Sequence, residues 1–226
     1  MGFGRMDETA ARRHMVDGQL RPNRVTDPRL LDAMGRLPRH LFVPMPRRAI
    51  AHADEDVPLS PGRHLVKPLT TARLVQALAV RPGEQVLVLG AGTGYAAALL
   101  AALGAEVVAV EDDAALLRAA AEAAAAVPEA ARPLWVAASP AGPMLDPALA
   151  GPFGAVLLDG AIPAFPSAAV ERLAEGGRIA AVLRNPGAVG VASLGRKAGG
   201  ALSVLPLFDC QAPALPWFAP APAFTF

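Results

Sequence analysis

One glycine-rich stretch, Gln85–Glu111, constrains the fold of this chain more than any other part of the sequence. An apolar run of strand length, Val86–Leu89, leads into a turn that has glycine at three of five positions. An alanine-rich segment of helical length follows, and a second strand-like run, Glu106–Val110, ends on Glu111. The succession of strand, glycine turn, helix and strand predicts the first unit of a doubly wound α/β sheet.

The glycine turn also predicts a binding site for a nucleoside. Gly90, Gly92 and Gly94 have no Cβ, so the chain can reverse tightly and a ligand can approach the backbone. The start of the helix at Tyr95 presents free N–H groups and a partial positive charge, which suit an anionic group. Glu111 lies where an acid that accepts both hydroxyls of a ribose is expected in such a unit.

Other interpretations of this stretch are weaker. The residues from Val86 to Ala105 carry no charge, as in a transmembrane helix, but three glycines would interrupt that helix and a charged strand follows. A glycine turn without a ligand is a second alternative, and the complete strand, turn, helix and acid pattern favours a ligand over it. The third glycine comes one residue too early for a dinucleotide fingerprint, and no Gly-Lys-Ser/Thr follows, which excludes a P-loop.

Composition excludes further classes of function. Of the 226 residues, 53% are hydrophobic and 18% are charged, which supports a buried core rather than disorder. The net charge of +1 gives no electrostatic case for a nucleic-acid or membrane partner. The single cysteine, Cys210, cannot form an internal disulfide, and no apolar leader occurs at the first residues, so we expect a cytoplasmic protein.

The histidines do not have the spacing of metal ligands. The sequence contains His14, His40, His52 and His64. Because they are scattered singly, the sequence predicts no metal site.

The rest of the chain alternates helices and strands. Before the sheet we expect a helix from Asp7 to about Gly18 and a second helix from Arg29 to about Arg36, capped by Thr26-Asp27 with Pro28 in its first turn. Further along we expect helices at 73–79, 114–126 and 166–174, strands at 134–138, 153–159 and 178–183, and a hairpin within 189–207 around Gly199-Gly200. The Pro-rich, aromatic tail from Ala212 is expected to pack on the surface.

The N-terminal sequence resembles a known family. MVDGQLRP at 15–22, VTDPRLLDAM at 25–34 and LPRHLFVP at 37–44 are similar to the protein-L-isoaspartate O-methyltransferase family. Further similarity occurs at 172–179 and 207–216, so the resemblance covers nearly the whole chain. The G-x-G-x-G sequence followed by an aromatic residue also resembles motif I of S-adenosylmethionine-dependent methyltransferases.

The resemblance implies S-adenosylmethionine as methyl donor and the α-carboxyl of an isoaspartyl residue in damaged proteins as acceptor. It also implies a Rossmann-like sheet with a helical N-terminal extension. Gly90, Gly92, Gly94 and Glu111 would then bind the donor. Asp159, at the end of a predicted buried strand, would meet the ammonium of the donor or the acceptor, with a cap on the following turn as its other interpretation.

The stretch Val57–Thr71 occupies the place of the family's acceptor loop, whose pattern is Gly-x-x-Ile-Ser-x-Pro. Leu65 stands at the isoleucine and Val66 at the serine, so one hydroxyl is missing. Lys67 and Arg63 could bind an anionic carboxylate or belong to a solvated loop face. The residues predicted to line the acceptor are Val66, Lys67, Pro68 and Thr70.

Departures from the family pattern leave two further hypotheses open. Val66 replaces the serine, and Val88 and Ala138 stand where many relatives have acids that face the donor. A member that no longer catalyses, and binds a nucleoside or a partner protein, is therefore the second hypothesis. A nicotinamide-dependent oxidoreductase is the third. For organisation, we expect residues 1–80 to pack on a core formed by 81–226, as one structural domain and a monomer.

Overall fold

Two sheets and six α-helices account for most of the residues that the structure describes. The structure is a computed structural model, and it describes residues 7–127, 133–137, 149 and 151–218. The helices are α1 (Glu8–Met15), α2 (Pro28–Arg36), α3 (Pro68–Leu78), α4 (Tyr95–Ala102), α5 (Ala114–Ala126) and α6 (Ser167–Glu171). The strands are β1 (Val57–Ser60), β2 (Arg63–Leu65), β3 (Gln85–Leu89), β4 (Glu106–Glu111), β5 (Leu134–Ala137), β6 (Phe153–Ile162), β7 (Leu173–Leu183), β8 (Val191–Ala198) and β9 (Ala201–Asp209).

The main sheet has seven strands in the order β5-β4-β3-β6-β7-β8-β9. Strands β3 to β7 pair in parallel, and β8 and β9 are antiparallel to their neighbours. The chain moves outward from β3 to β5 and then returns to β6 on the other side of β3. This reversal confirms the predicted doubly wound sheet, and the carboxyl ends of β3 and β6 are where ligands bind in such sheets.

Strand β3 is buried on both faces, which explains its uninterrupted apolar sequence. Val86 and Val88 pack into the cluster that contains α4 and the N-terminal helices, whereas Leu87 and Leu89 pack into the cluster that contains α6. Successive side chains point to opposite faces, so an alternating division of an all-apolar strand is expected. Within the described part of the chain, no helix is long and apolar enough to cross a membrane.

The N-terminal region is helical, as predicted. Asp27 caps α2, because its side chain accepts a hydrogen bond from the backbone N–H of Arg29 at 2.9 Å, and Pro28 is the first helical residue. Helix α1 continues into a π-helical turn, Val16–Leu20. Two 3₁₀ helices follow α2, at Arg39–Phe42 and Met45–Ile50.

Several predicted boundaries are wrong. Helix α3 begins at Pro68 rather than at Arg73, because Pro68 occupies its first turn and the residue before it is extended. Strand β6 continues past Asp159 to Ile162. Strand β7 begins at Leu173 rather than at Arg178, and the register shift opposite Phe153 and Ala155 places Gly176-Gly177 in a bulge.

The C-terminal hairpin is confirmed. Strands β8 and β9 are joined at Gly199 and Gly200, whose φ angles of 58° and 79° are in the left-handed region that glycine adopts easily. Strand β9 forms one edge of the main sheet. Pro206 lies opposite Ser193 in this strand, next to a register shift.

Candidate active site

The glycine turn lies at the carboxyl end of β3, where the chain reverses across the sheet. Gly90, Gly92 and Gly94 have φ angles of 70°, 58° and 92°. Side chains also approach these residues closely: a Cβ added at Gly94 would lie 2.7 Å from Trp135, and one at Gly90 would lie 2.5 Å from Leu215. Conformation and close packing therefore both require glycine here.

Glu111 is joined directly to this turn. It ends β4, its side chain is fully buried, and Oε2 accepts a hydrogen bond from the backbone N–H of Gly92 at 2.6 Å. Oε1 accepts hydrogen bonds from the N–H groups of Asp112 and Asp113 at 3.0 and 3.1 Å. The predicted acid and the predicted glycine turn are thus brought together.

Arg63, on β2, binds the same carboxylate. Its guanidinium forms a two-pronged ion pair with Glu111, with Nη2 2.6 Å from Oε2, and a further contact of 3.1 Å with Asp112. Burial by itself lowers the pKa of Arg63, but the hydrogen bonds and the charge of Glu111 raise it above its ordinary value. Arg63 thus binds a carboxylate, as proposed from the sequence, but that carboxylate belongs to the protein.

The C-terminal tail also reaches this site. The N–H of Ala161 donates to the carbonyl of Pro213 at 2.7 Å, and the N–H of Leu215 donates to the carbonyl of Ala161 at 2.9 Å. Leu215 is buried against Gly90 and Gly160, and the ring of Trp217 lies 5.7 Å from the guanidinium carbon of Arg63. Residues 212–218 therefore pack against this edge, with Ala212 and Leu215 buried and Ala214 and Pro216 exposed, and the tail beyond 218 lies outside the described residues.

The predicted acceptor stretch is not a loop. Residues 57–65 form the antiparallel pair β1-β2, and Pro68 begins α3. Val66 and Thr70 are each 1% exposed, and the carbonyl of Val66 accepts hydrogen bonds within the core. Pro68 is also buried, so Lys67 is the one residue of the predicted four with a partly exposed side chain. The other three have little exposed surface, and their role at the acceptor stays a prediction.

Asp159 lies in β6 near the same sheet edge and is 7% exposed. Burial raises its pKa to about 7, while the charges of Arg39 and Arg63 oppose that rise and those of Asp56 and Glu111 add to it. Asp159 does not cap α6, since that helix begins after Pro166 without a side-chain cap. It is a buried acid between two cations and two other acids.

Arg39 is a functional candidate that the sequence interpretation missed. It is fully buried, and it donates to the carbonyls of Ala51 and Val66 at 2.7 Å each. Its guanidinium lies 4.6 Å from the centre of the Tyr95 ring, at the start of α4. A charged residue inside the apolar segment between Pro38 and Pro44 was the signal that could have identified it.

The structure describes only one of the two positions, 88 and 138, at which many relatives have an acid. Val88 is fully buried among apolar residues on β3 and packs into the cluster that contains the N-terminal helices. Ala138 and the following Ser139 lie outside the described residues.

An apolar cleft of about 410 Å³ lies beside the turn, between the 3₁₀ segments and α5. Thr93 of the turn lines it, together with Phe42, Ser60 and Leu116. Neither the three glycines of the turn nor Glu111 lines this cleft. The cleft and the predicted nucleoside site are therefore neighbours that share Thr93.

Comparison with known proteins gives a consistent result. The sequence model of the family described as Protein-L-isoaspartate(D-aspartate) O-methyltransferase matches residues 10–204. The protein-L-isoaspartate O-methyltransferase of Methylorubrum populi is 43% identical over 179 residues, or 79% of this chain and 82% of that protein. The enzyme of that name from Koribacter versatilis is 34% identical over 200 residues and 88% of each chain.

Solved structures share the fold. A structure named as a protein-L-isoaspartate O-methyltransferase from Plasmodium falciparum, in complex with S-adenosyl-L-homocysteine, has a TM-score of 0.72 and 19% identity. The match covers 90% of this chain and 97% of that one. At this identity the likeness concerns the fold alone.

Proposed function

This chain belongs to the protein-L-isoaspartate(D-aspartate) O-methyltransferase family, and we propose from that premise that it methylates the α-carboxyl of isoaspartyl residues in proteins, with S-adenosylmethionine as donor. The observation that carries the proposal is the hydrogen bond between Glu111 and the N–H of Gly92. It joins an acid at the end of β4 to a glycine turn at the end of β3, which is the arrangement that binds a nucleoside in such sheets.

The residues at this edge fit the proposed donor. Gly90, Gly92 and Gly94 would let it approach the backbone once Leu215 and Trp135 move away from the turn. Glu111 would accept its ribose hydroxyls, and Asp159 would pair with its ammonium group. A family structure in complex with S-adenosyl-L-homocysteine supports this class of donor. S-adenosylmethionine supplies a methyl group on a positively charged sulfur, which is a good leaving group.

The acceptor needs little chemical activation from this chain. A carboxyl with a reference pKa of about 4 is ionised at neutral pH, so no general base is required. The contribution of the protein is to align the acceptor with the donor and to exclude water. We propose that Lys67 faces the acceptor, since it is the partly exposed residue of the predicted group.

Donor binding requires Arg63 to move in this proposal. The Glu111 carboxylate already accepts from Arg63 and from three backbone N–H groups. Ribose hydroxyls would therefore replace the guanidinium and leave the backbone hydrogen bonds in place. Arg63, once released, would be a second cation available to the acceptor carboxylate.

Titration with S-adenosylhomocysteine by calorimetry tests the donor site. We expect binding in the micromolar range, and Glu111→Gln should weaken it by more than about tenfold, because an amide accepts fewer hydrogen bonds than a carboxylate. Glu106→Gln is the matched control, at the exposed opposite end of the same strand, and should bind as the unchanged protein does. Equal affinity in Glu111→Gln would remove Glu111 from the site.

Two peptides of one sequence, one with isoaspartate and one with aspartate, test the reaction. Transfer of labelled methyl to the isoaspartyl peptide alone is the expected result. Donor binding without transfer to either peptide would instead support the member that binds a nucleoside or a partner protein without catalysis. Absence of donor binding at millimolar concentration would reject the donor site itself.

We also propose that the protein acts in the cytoplasm and as a monomer. The single cysteine and the net charge of +1 support a reducing compartment and a partner that is neither nucleic acid nor membrane. Light scattering on the purified protein tests the monomer.

A further inference from the structure

Three potential metal ligands meet in the N-terminal region, apart from the glycine turn. Glu8 is in the first turn of α1, His40 is on the 3₁₀ helix Arg39–Phe42, and His52 follows the 3₁₀ helix Met45–Ile50. One ligand atom from each residue lies within 4.8 Å of the other two. The spacing of histidines along the sequence predicted no metal site, because these residues come from three segments that only the fold brings together.

The two separations between Glu8 and the histidines are close to those of zinc ligands. Glu8 Oε2 lies 3.2 Å from Nδ1 of His40 and 3.6 Å from Nδ1 of His52. A tetrahedral zinc ion with bonds of about 2.0–2.1 Å separates its ligand atoms by about 3.4 Å. The two imidazole rings are inclined by 50°, with centroids 6.2 Å apart, so they do not stack and can direct nitrogens to a common point.

The polar atoms of the cluster are buried without hydrogen-bond partners among the described residues. These atoms are Glu8 Oε2, His40 Nδ1, His52 Nδ1 and His52 Nε2. His52 is 7% exposed, and Gln19 donates to its backbone carbonyl at 2.9 Å, which fixes the residue without using its ring. Buried polar side chains normally have partners, and one ion would supply a partner to all three.

Burial and nearby arginines both disfavour positive charge in the cluster. Burial lowers the pKa of His40, and burial together with the charge of Arg39 lowers the pKa of His52 to about 4. The arginines that face the cluster, Arg12, Arg39 and Arg48, oppose a second positive charge as well as a divalent ion. The ligand atoms themselves must therefore provide the affinity.

We propose that Glu8, His40 and His52 bind one zinc ion that fastens α1 to the 3₁₀ segments after α2. Two imidazole nitrogens and one carboxylate favour zinc over magnesium and calcium, which prefer oxygen ligands alone. Three protein ligands leave a fourth position for water on the side of Glu8, whose side chain is 30% exposed. The role is structural, because none of the three residues belongs to the glycine turn.

Zinc titration of the full-length protein tests the site. The protein is first stripped with a chelator, and Zn²⁺ is then added in competition with a fluorescent zinc indicator. One ion per chain with micromolar or tighter affinity is expected, and Glu8→Gln and His52→Phe should each weaken it at least about tenfold. His14→Ala, which alters an exposed histidine of the same helix, should bind zinc normally.

Thermal unfolding with and without zinc provides a second measurement, because His52 is buried and its replacement also disturbs packing. Zinc should raise the Tm of the unchanged protein and of His14→Ala, but not that of Glu8→Gln, whose partly exposed side chain can be replaced without a cavity. No zinc binding, as when water alone occupies the cluster, would overturn the proposal. An equal rise in Glu8→Gln would overturn it as well.

Discussion

At the scale of single residues, the ion pair between Glu111 and Arg63 links the stability of the protein to the proposed donor site. Glu111 is completely buried, and Arg63 is 7% exposed. A buried pair of this kind contributes little to net stability, but removal of one partner is strongly destabilising because a buried charge is left behind. The three backbone N–H groups that remain on Glu111 would soften that effect.

Replacement of Arg63 should therefore separate stability from donor binding. We expect Arg63→Gln to lower the free energy of unfolding by about 2–3 kcal/mol, measured with urea, since Glu111 loses its buried cation. The same variant should bind S-adenosylhomocysteine more tightly, since the carboxylate no longer has to release a guanidinium. Arg21→Gln, at an exposed ion pair, is the control for both measurements. Weaker donor binding in Arg63→Gln would show that Arg63 helps rather than competes.

Asp159 predicts a dependence of stability on pH. The pKa of Asp159 is about 7 in the folded chain and exceeds the ordinary value of 3.8. Its carboxyl therefore loses the proton at a lower pH in the unfolded chain than in the folded chain. The free energy of unfolding therefore decreases between about pH 4 and pH 7, and the full cost of the buried charge is present above that range. Asp159→Asn should remove this slope and be more stable than the unchanged protein near pH 8, by about 2–4 kcal/mol.

Urea unfolding across that pH range checks the prediction. Asp32→Asn, which changes an exposed acid on α2, should keep the slope of the unchanged protein. An identical slope in Asp159→Asn would mean that the buried carboxylate is ionised at all these pH values.

The sequence predicted which residues come together where consecutive elements of the chain bring them together. Gly90, Gly92, Gly94 and Glu111 lie together because a strand, a tight turn and the next parallel strand bring them there. The ion pair with Arg63 was not predictable, because its partners are 48 positions apart in the sequence and come from different sheets. Spacing carries no information about such a contact.

At the scale of elements, the tail at 212–218 is the least expected part of the molecule. Ala214 of the tail forms one parallel β-bridge with Ala161 near the end of β6. The side chain of Leu215 packs against both Gly90 and Gly160. Two backbone hydrogen bonds and the buried side chains of Ala212 and Leu215 connect the tail there, so we expect it to detach without unfolding the sheet.

A Leu215→Ala variant tests this attachment. Loss of the buried side chain should favour local detachment and accelerate hydrogen exchange at the amides of Ala161 and Leu215 by at least about tenfold. Exchange in the centre of β3 should not change. Leu205→Ala, on the exposed face of β9, is the matched control. Equal acceleration throughout the sheet would mean that the tail and the sheet unfold together.

The bounds of helices and strands were predictable where a capping or turn residue in the local sequence marks them. Helix α5 has the predicted bounds, since Asp113 accepts hydrogen bonds from the N–H groups of Ala115 and Leu116. The start of α3 was misplaced because Pro68 was assigned to a loop, although proline is also favoured in a first helical turn. The bulge in β7 depends on pairing with β6, which the local sequence of Gly176-Gly177 does not encode.

At the scale of the whole molecule, one hydrophobic cluster joins the N-terminal helices to the sheet. Met15, Leu30 and Met34 belong to the same cluster as Val86 of β3 and Ala212 of the tail. Arg178 of β7 adds polar links, since it donates to the carbonyls of Leu78 and Gly154 at 2.9 and 3.0 Å.

We therefore expect residues 1–80 and 81–226 to unfold in one transition. Far-ultraviolet circular dichroism, which reports the helices, and tryptophan fluorescence, which reports Trp135 and Trp217, should give the same midpoint in urea. Separate midpoints would show that the N-terminal region is an independent unit.

The outer edge of β9 has a consequence for a protein that handles damaged chains. Val204 and Leu205 are exposed on this strand, and an open edge of that kind invites an unfolded chain to add a strand and aggregate. Pro206 lies in this strand and has no N–H, and proline on an edge strand interrupts such a ladder. We therefore expect the edge of β9 to resist strand addition by a partly unfolded substrate that is bound at the carboxyl ends of β3 and β6.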